Sequence, residues 1–387
     1  MWFTSSLRCR RTPRHPSHKR RSFLPRLEII EDRTVPSTLT VTNNLDKGAG
    51  SLRDAITNAK SGDTIVFAPA LNGQTITLTS GELAINKSLD IEGPDASLLA
   101  ISGNDTNRVF DISEGNTVTI AGLTISQGRA RDSDGGGVLN VGSTLTAVGD
   151  IFSDNEALVN STSAIDGGGA ICNRNGATLT VTQCSFLGNE ALGRDRGSSA
   201  YGGAILNIGS VATVRLSTFM ANRVVGGNGG EVAGNNNLLG LAVGGGIKNS
   251  GGGLLTVEHS TFLGNQAIAG NGGSGGKGAA LYLVDNAAGG GIAGSDDTTS
   301  IVSDCTFAYN QAIGGSYATG GTSGQGRLGN ANGGGLFNDH MTTVTGCTFD
   351  RNEAIAGNSK AAAMALSCSA APLAAASAVL LRSAPLL

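Results

Sequence analysis

The stretch Gly167-Gly168-Gly169-Ala170-Ile171-Cys172-Asn173-Arg174-Asn175-Gly176-Ala177-Thr178-Leu179-Thr180-Val181-Thr182-Gln183-Cys184-Ser185-Phe186-Leu187-Gly188-Asn189 decides how this chain folds. It contains a glycine cluster, a short run in which Leu179 and Val181 alternate with threonines, and a Phe-x-x-Asn motif at Phe186 and Asn189. Alternation with period two sends Leu and Val to one face and Thr to the other, the pattern of a strand with one buried side. A strand this short makes no independent sheet. It is stable only where an equivalent strand stacks on it.

The same unit recurs along the chain. Phe-x-x-Asn occurs at Phe152/Asn155, Phe186/Asn189, Phe219/Asn222, Phe262/Asn265, Phe307/Asn310 and Phe349/Asn352, with Phe-to-Phe spacings of 34, 33, 43, 45 and 42 residues. Each copy follows a glycine cluster and a strand residue: Gly137-Val138, Gly169-Ala170-Ile171, Gly203-Ala204-Ile205, Gly246-Ile247, Gly291-Ile292 and Gly335-Leu336. From the last glycine to its Phe the interval is 15, 17, 16, 16, 16 and 14 residues. That interval is nearly constant, whereas the stretch between copies varies by ten residues or more. The repeated unit is therefore about one coil, and the variable part is loop.

These features predict an all-β fold, a single right-handed parallel β-helix in which every coil stacks on its neighbours. The glycine pair is expected to turn a coil corner with φ > 0. Phe is expected to stack on the Phe of the next coil. Asn is expected to occupy the left-handed region at the following corner, its amide satisfying backbone groups of adjacent turns. Three of the six cysteines, Cys184, Cys305 and Cys347, sit two residues before these Phe residues, in a slot that elsewhere holds Ser217 and Ser260. A slot that takes Cys or Ser reads as a small buried stacking position. Cys9, Cys172 and Cys368 complete the set, and no CxxC pair marks a zinc or thioredoxin-type site.

Upstream the spelling changes. Leu83/Ile85, Leu89/Ile91, Phe110/Ile112, Val118/Ile120 and Leu123/Ile125 are apolar pairs at strand spacing, separated by Gly, Asn and Asp turns. One segment reads as a helix, residues 51–60. Ser51 serves as N-cap with Asp54 three residues on, and Leu52, Ala55, Ile56 and Ala59 line one face. Gly62 stops it and a strand begins at Thr64. Such a helix can cover the open N-terminal end of a β-helix, which would otherwise invite edge-to-edge pairing. The organisation expected is a basic leader over residues 1–37, a β-helix over 38–355 with the six repeats at 135–355, and an Ala/Leu-rich tail over 356–387 that is left unassigned.

Composition agrees. The chain has 387 residues with 60 Gly, 39 % apolar and 15 % charged, too apolar for disorder and without the strict glycine period of collagen. Residues 1–26 carry eight Arg/Lys and no acid, whereas the remainder carries 19 basic and 30 acidic groups, a net of −11. A basic head on an acidic body reads as targeting rather than nucleic-acid binding, which needs positive charge on the folded surface. No apolar stretch of membrane-spanning length interrupts the body.

Three resemblances attach to these residues. Leu24-Pro25-Arg26-Leu27-Glu28-Ile29-Ile30-Glu31-Asp32-Arg33-Thr34-Val35-Pro36-Ser37 resembles the leader of many planctomycete surface and secreted proteins, departing from it at Ile29-Ile30. Gly50-Ser51-Leu52-Arg53-Asp54-Ala55-Ile56, followed by Gly62-Asp63-Thr64-Ile65-Val66-Phe67, resembles the CSLREAI segment that opens bacterial β-helix surface proteins, with Gly50 in place of its Cys. The paired glycine and Phe-x-x-Asn motifs are similar to the repeats of chlamydial polymorphic outer-membrane proteins. That resemblance implies a passenger region linked to adhesion. The β-barrel that anchors such passengers has no counterpart in the stretch after Ala354.

The expected function is therefore that of a non-catalytic secreted or cell-surface protein, located outside the cell or at the outer membrane. Its partner would be a surface component, a polysaccharide or another copy of itself, met by a long face and by glycine-rich loops such as residues 271–277. The alternative is a polysaccharide lyase or glycoside hydrolase, which needs carboxylates converging on a groove. The candidate acids are Asp296, Asp297, Asp304, Asp350 and the pair Asp339-His340. Asp304 and Asp350 read as near-equivalent repeat positions able to approach each other; the plain reading of all these acids is solvated turns. No cofactor is expected, with calcium in the loop at residues 294–297 as the alternative to none.

Overall fold

The computed structural model of the protein describes residues 36–160, 165–194, 197–228, 240–271, 287–295, 297–316 and 329–357. The leader to residue 35, Asp296, most of the 271–277 loop and the tail from residue 358 lie outside them. Within the described residues the chain winds into a right-handed parallel β-helix. One coil illustrates the path: Ile171–Arg174, Thr178–Thr182, Ser185–Leu187, Glu190–Gly193 and Ala200–Tyr201 follow one another around the section. Each strand then pairs in parallel with its counterpart one coil on, Thr180 opposite Thr213 and Phe186 opposite Phe219. The result is five sheets. The first has ten strands from Thr38–Val41 to Met341–Thr345, the second nine, the third eight, the fourth seven and the fifth four.

Register makes the inside of the helix a set of columns. In the first sheet Leu145, Leu179, Ala212 and Leu255 form one inner column, and Ala147, Val181, Val214, Val257 and Val302 form the next. All are buried. In the second sheet the six Phe rings stack face to face with centroids 4.6–4.8 Å apart and planes within 8° of parallel. Burying each ring from Phe152 to Phe307 stabilises the stack by roughly 2–3 kcal/mol, and the neighbouring ring adds about 1 kcal/mol; Phe349 ends the stack half open to solvent.

At the glycine corner only the first member of each pair turns with φ > 0, as at Gly202 (φ 65°). The second is glycine for space. A Cβ at Gly203 would stand 2.1 Å from the Gly245 carbonyl oxygen and 2.6 Å from that of Arg223. The Asn corner departs further from expectation. The left-handed residue is the one before Asn, namely Asp154, Gly188, Ala221, Gly264, Tyr309 and Arg351, with φ from 47° to 62°. This leaves Asn free to turn its amide into the stack. Asn222 accepts from the backbone N–H (3.0 Å) and Nδ2 (2.9 Å) of Asn189, and its own Nδ2 donates to Asn265 Oδ1 (2.9 Å) and to the Phe186 carbonyl (3.0 Å). The column continues through Asn155, Asn189, Asn265, Asn310 and Asn352.

A second amide column runs up the third sheet. Asn140, Asn173, Asn207 and Asn249 pass Nδ2–H···Oδ1 bonds of 2.7–2.8 Å from coil to coil. The spacing that announces it, an apolar strand residue followed two places later by Asn (Val138/Asn140, Ile171/Asn173, Ile205/Asn207, Ile247/Asn249), is visible in the sequence.

The helix spans Leu52–Asn58, two residues shorter than its sequence pattern, because the Lys60 N–H turns to the Asp63 carboxylate (2.7 Å) instead. Ser51 accepts from the Asp54 N–H at 3.2 Å, and Leu52, Ala55 and Ile56 are buried. Lys87 Nζ donates to the carbonyls of Ile56, Thr57 and Ala59 at 3.0–3.2 Å, placing a cation on the helix C-terminus where the dipole favours it. No described helix is long and apolar enough to cross a membrane.

Candidate functional site

The acids singled out from the sequence fall at different corners. Asp304 occupies the left-handed position before the small-residue slot (φ 53°), equivalent to Gly149, Gln183, Leu216, His259 and Gly346. Its counterpart one coil on is Gly346, not Asp350, and its carboxylate lies 4.0 Å from the exposed His259 ring. Asp350 closes the strand Thr348–Asp350 opposite Ala308, and its neighbour Arg351 lies over the Tyr309 ring at 5.4 Å. The two acids therefore occupy different repeat positions, three residues before Phe307 and one after Phe349, and the expected approach between them is not made.

The structure does gather one group across coils. His340 Nε2 lies 2.7 Å from Asp297 Oδ1, and its Nδ1 lies 3.5 Å from Asp339 Oδ1. Desolvation works to lower this imidazole, but the two carboxylates outweigh it and hold its pKa above the ordinary value. The cluster is an exposed charged spot: Asp297 is 91 % accessible. Among the described residues no three His, Cys, Asp or Glu side chains gather in a way that could hold a metal ion.

Several buried polar groups are taken up by the scaffold. Arg108 reaches the carbonyls of Asp134 (2.9 Å) and Gly135 (3.0 Å), Glu82 (2.6 Å) and Ser133 (2.6 Å). Asp134 accepts from the Gly167 N–H at 2.8 Å and pairs with Arg174. Cys172 beside them is fully enclosed, and burial followed by the charge of Asp134 pushes its thiol far up, out of reactive range. In the small-residue slot Ser217 accepts from the Cys184 N–H (3.2 Å) and donates to the Arg215 carbonyl (2.8 Å). One coil before Cys184 the slot is filled by Asp150, 1 % accessible, whose pKa burial raises to about 8 although the N–H groups of Leu123 and Val148 pull it down. Sequence reading missed Asp150 because a carboxyl does not resemble Cys or Ser. Its place two residues before Phe152 is the signal that could have found it.

Two outer faces remain, and they differ in kind. The fourth sheet carries a polar ladder in which Arg129 pairs with Glu156 (2.7 Å), Arg223 with Glu190 (3.8 Å), and Gln266, Gln311 and Glu353 join at 2.8–2.9 Å. The first sheet instead carries hydroxyls. Its middle outer column reads Thr38, Thr64, Asp90, Thr119, Thr146, Thr180, Thr213, Thr256, Ile301 and Thr343.

Comparison with known proteins adds little. No protein-family profile and no curated protein sequence matches the chain. A solved structure of Geobacillus virus E2 ORF18 aligns over 80 % of this chain at 12 % identity with a TM-score of 0.24, and the chain spans 60 % of that protein's length. A likeness at that level carries no argument about fold or function.

Proposed function

We propose that the protein is a non-catalytic β-helix, secreted or displayed at the cell surface, that works by contact through its outer faces in adhesion or envelope interaction. The observation that carries this reading is the division of labour between inside and outside. The repeated Gly, Phe, Asn and small-slot residues are all engaged in stacking or hydrogen bonds within the scaffold, whereas the ten-stranded sheet presents a continuous ordered surface. Solenoids use such extended faces for binding. The resemblance of the repeats to chlamydial outer-membrane passengers, and of the leader to planctomycete export segments, supports the same assignment and the location outside the cell.

A second reading is favoured by one observation only. Asp297, Asp339 and His340 converge, and an imidazole between carboxylates is a plausible proton-transfer group for a polysaccharide lyase or glycosidase. The test is a panel of neutral and acidic polysaccharides, assayed with purified protein for retention and for chain cleavage together. Absence of cleavage is expected, whether or not a saccharide is retained. Cleavage that disappears in His340→Ala would overturn the first reading in favour of the second.

A further inference from the structure

Three adjacent coils of the ten-stranded sheet, Thr117–Ala121, Thr144–Val148 and Thr178–Thr182, place nine side chains on the outer face. They are Thr117, Thr119, Ala121, Thr144, Thr146, Val148, Thr178, Thr180 and Thr182. Seven are threonines, and no charged or aromatic side chain stands among them. Eight of the nine are half-buried, Thr117 alone being exposed. Threonine suits any strand, but that preference does not explain the grouping. The outer positions of the fourth sheet hold Arg, Glu and Gln at the same coil spacing.

We infer that this face binds ice. The inference rests on the reading of the protein as a non-catalytic contact surface and names the ligand that one face would take. Coil spacing is fixed by the core at 4.6–4.8 Å, as the Phe centroids record. Along each strand the Thr-x-Thr step is about 6.6 Å. Oxygen atoms on a prism plane of hexagonal ice repeat within a few tenths of an ångström of the first distance and within an ångström of the second. Rows of methyl and hydroxyl groups at that spacing order the water between them. The methyls cage it, and the hydroxyls anchor it by hydrogen bonds. Because the backbone ladder holds each row, little is lost in ordering the site. A polysaccharide fits this face poorly, for it offers no ring on which a sugar could stack and no charge for a uronate. Face-to-face packing of a second copy would need interdigitating side chains, and none here is larger than Val148.

The test uses the full purified chain and a seeded ice crystal. The wild type is expected to open a gap between melting and growth temperatures and to be enriched in slowly frozen ice. Thr146→Lys and Thr180→Lys, with unchanged circular dichroism, should lose most of the gap. Thr180→Ser removes only a methyl, leaves the fold secure and should reduce it. Ser185→Lys, on the outer face of the second sheet, should keep it. The inference is overturned if the folded wild type leaves freezing unaffected, if the Thr variants behave as wild type, or if Ser185→Lys loses as much. A chain that ignores ice but is retained on saccharides refutes the ice ligand and leaves the contact reading standing; polysaccharide turnover removes that reading itself.

Discussion

Among the described residues, Asp150 is a carboxyl whose burial ties the stability of the scaffold to pH. Its carboxyl fills a slot built for Ser or Cys, and burial raises its pKa from 3.8 to about 8. Between those values the folded protein holds a proton that the unfolded chain has released. Stability therefore falls as pH rises across the window and is flat on either side of it. At about 1.4 kcal/mol per pH unit, the whole window is worth about 6 kcal/mol. Asp150→Ser supplies the residue that the protein itself uses at 217 and 260, with an oxygen able to accept the Leu123 N–H and donate to the Val148 carbonyl, as Ser217 does with its equivalents. Urea unfolding followed by circular dichroism at several pH values reads the effect. From pH 5 to pH 8 the variant should gain about 4 kcal/mol on the wild type. Parallel stability profiles for the two proteins would refute the reasoning, because they would mean that the buried carboxyl titrates as it does in water.

Other consequences follow from the same geometry. Asn222→Ala removes two donated and two accepted hydrogen bonds from an enclosed column and should cost about 4 kcal/mol in equilibrium unfolding, since each stranded group costs roughly 1–3 kcal/mol. Gly203→Ala drives a Cβ into two carbonyl oxygens and should cost about 3 kcal/mol or more by the same assay, the range of overpacked backbone sites. Cys347 accepts a hydrogen bond from Cys305 that draws its thiol below the ordinary pKa, while burial pushes Cys184 up to about 12. Iodoacetamide at neutral pH should therefore label Cys347 and spare Cys184 in the folded protein, as peptide mass spectrometry would show.

Much of the fold was legible because stacking repeats its demands. Phe152 to Phe349 mark one column, and the constant glycine-to-Phe interval marks the coil. What the linear pattern could not supply was the direction of each backbone turn. The residue before Asn takes the left-handed conformation and is Asp154, Ala221 or Tyr309 as readily as glycine, so residue type carries almost no signal there. Register across coils was the other gap. Asp297 and His340, 43 residues apart, meet only once the coils are in register, whereas Asp304, three residues before Phe307, and Asp350, one after Phe349, are separable by counting from the Phe of each repeat. The Asn140–Asn249 column was readable, and its signal is a spacing of two that resembles ordinary strand alternation. The threonine face was written in the alternation from the start, but the alignment of its rows over Thr117–Ala121, Thr144–Val148 and Thr178–Thr182 emerges only once register is fixed.

The central claim is that the repeated corner residues are as much a part of the interior as the strands. Native-state hydrogen exchange tests it most directly. The backbone amides of Asn155, Asn189, Asn222 and Asn265, each donating to the next coil's Asn side chain, should exchange as slowly as those of the Phe strands beside them. Exchange at these corners at the rate of open loops, with the strands still protected, would contradict it.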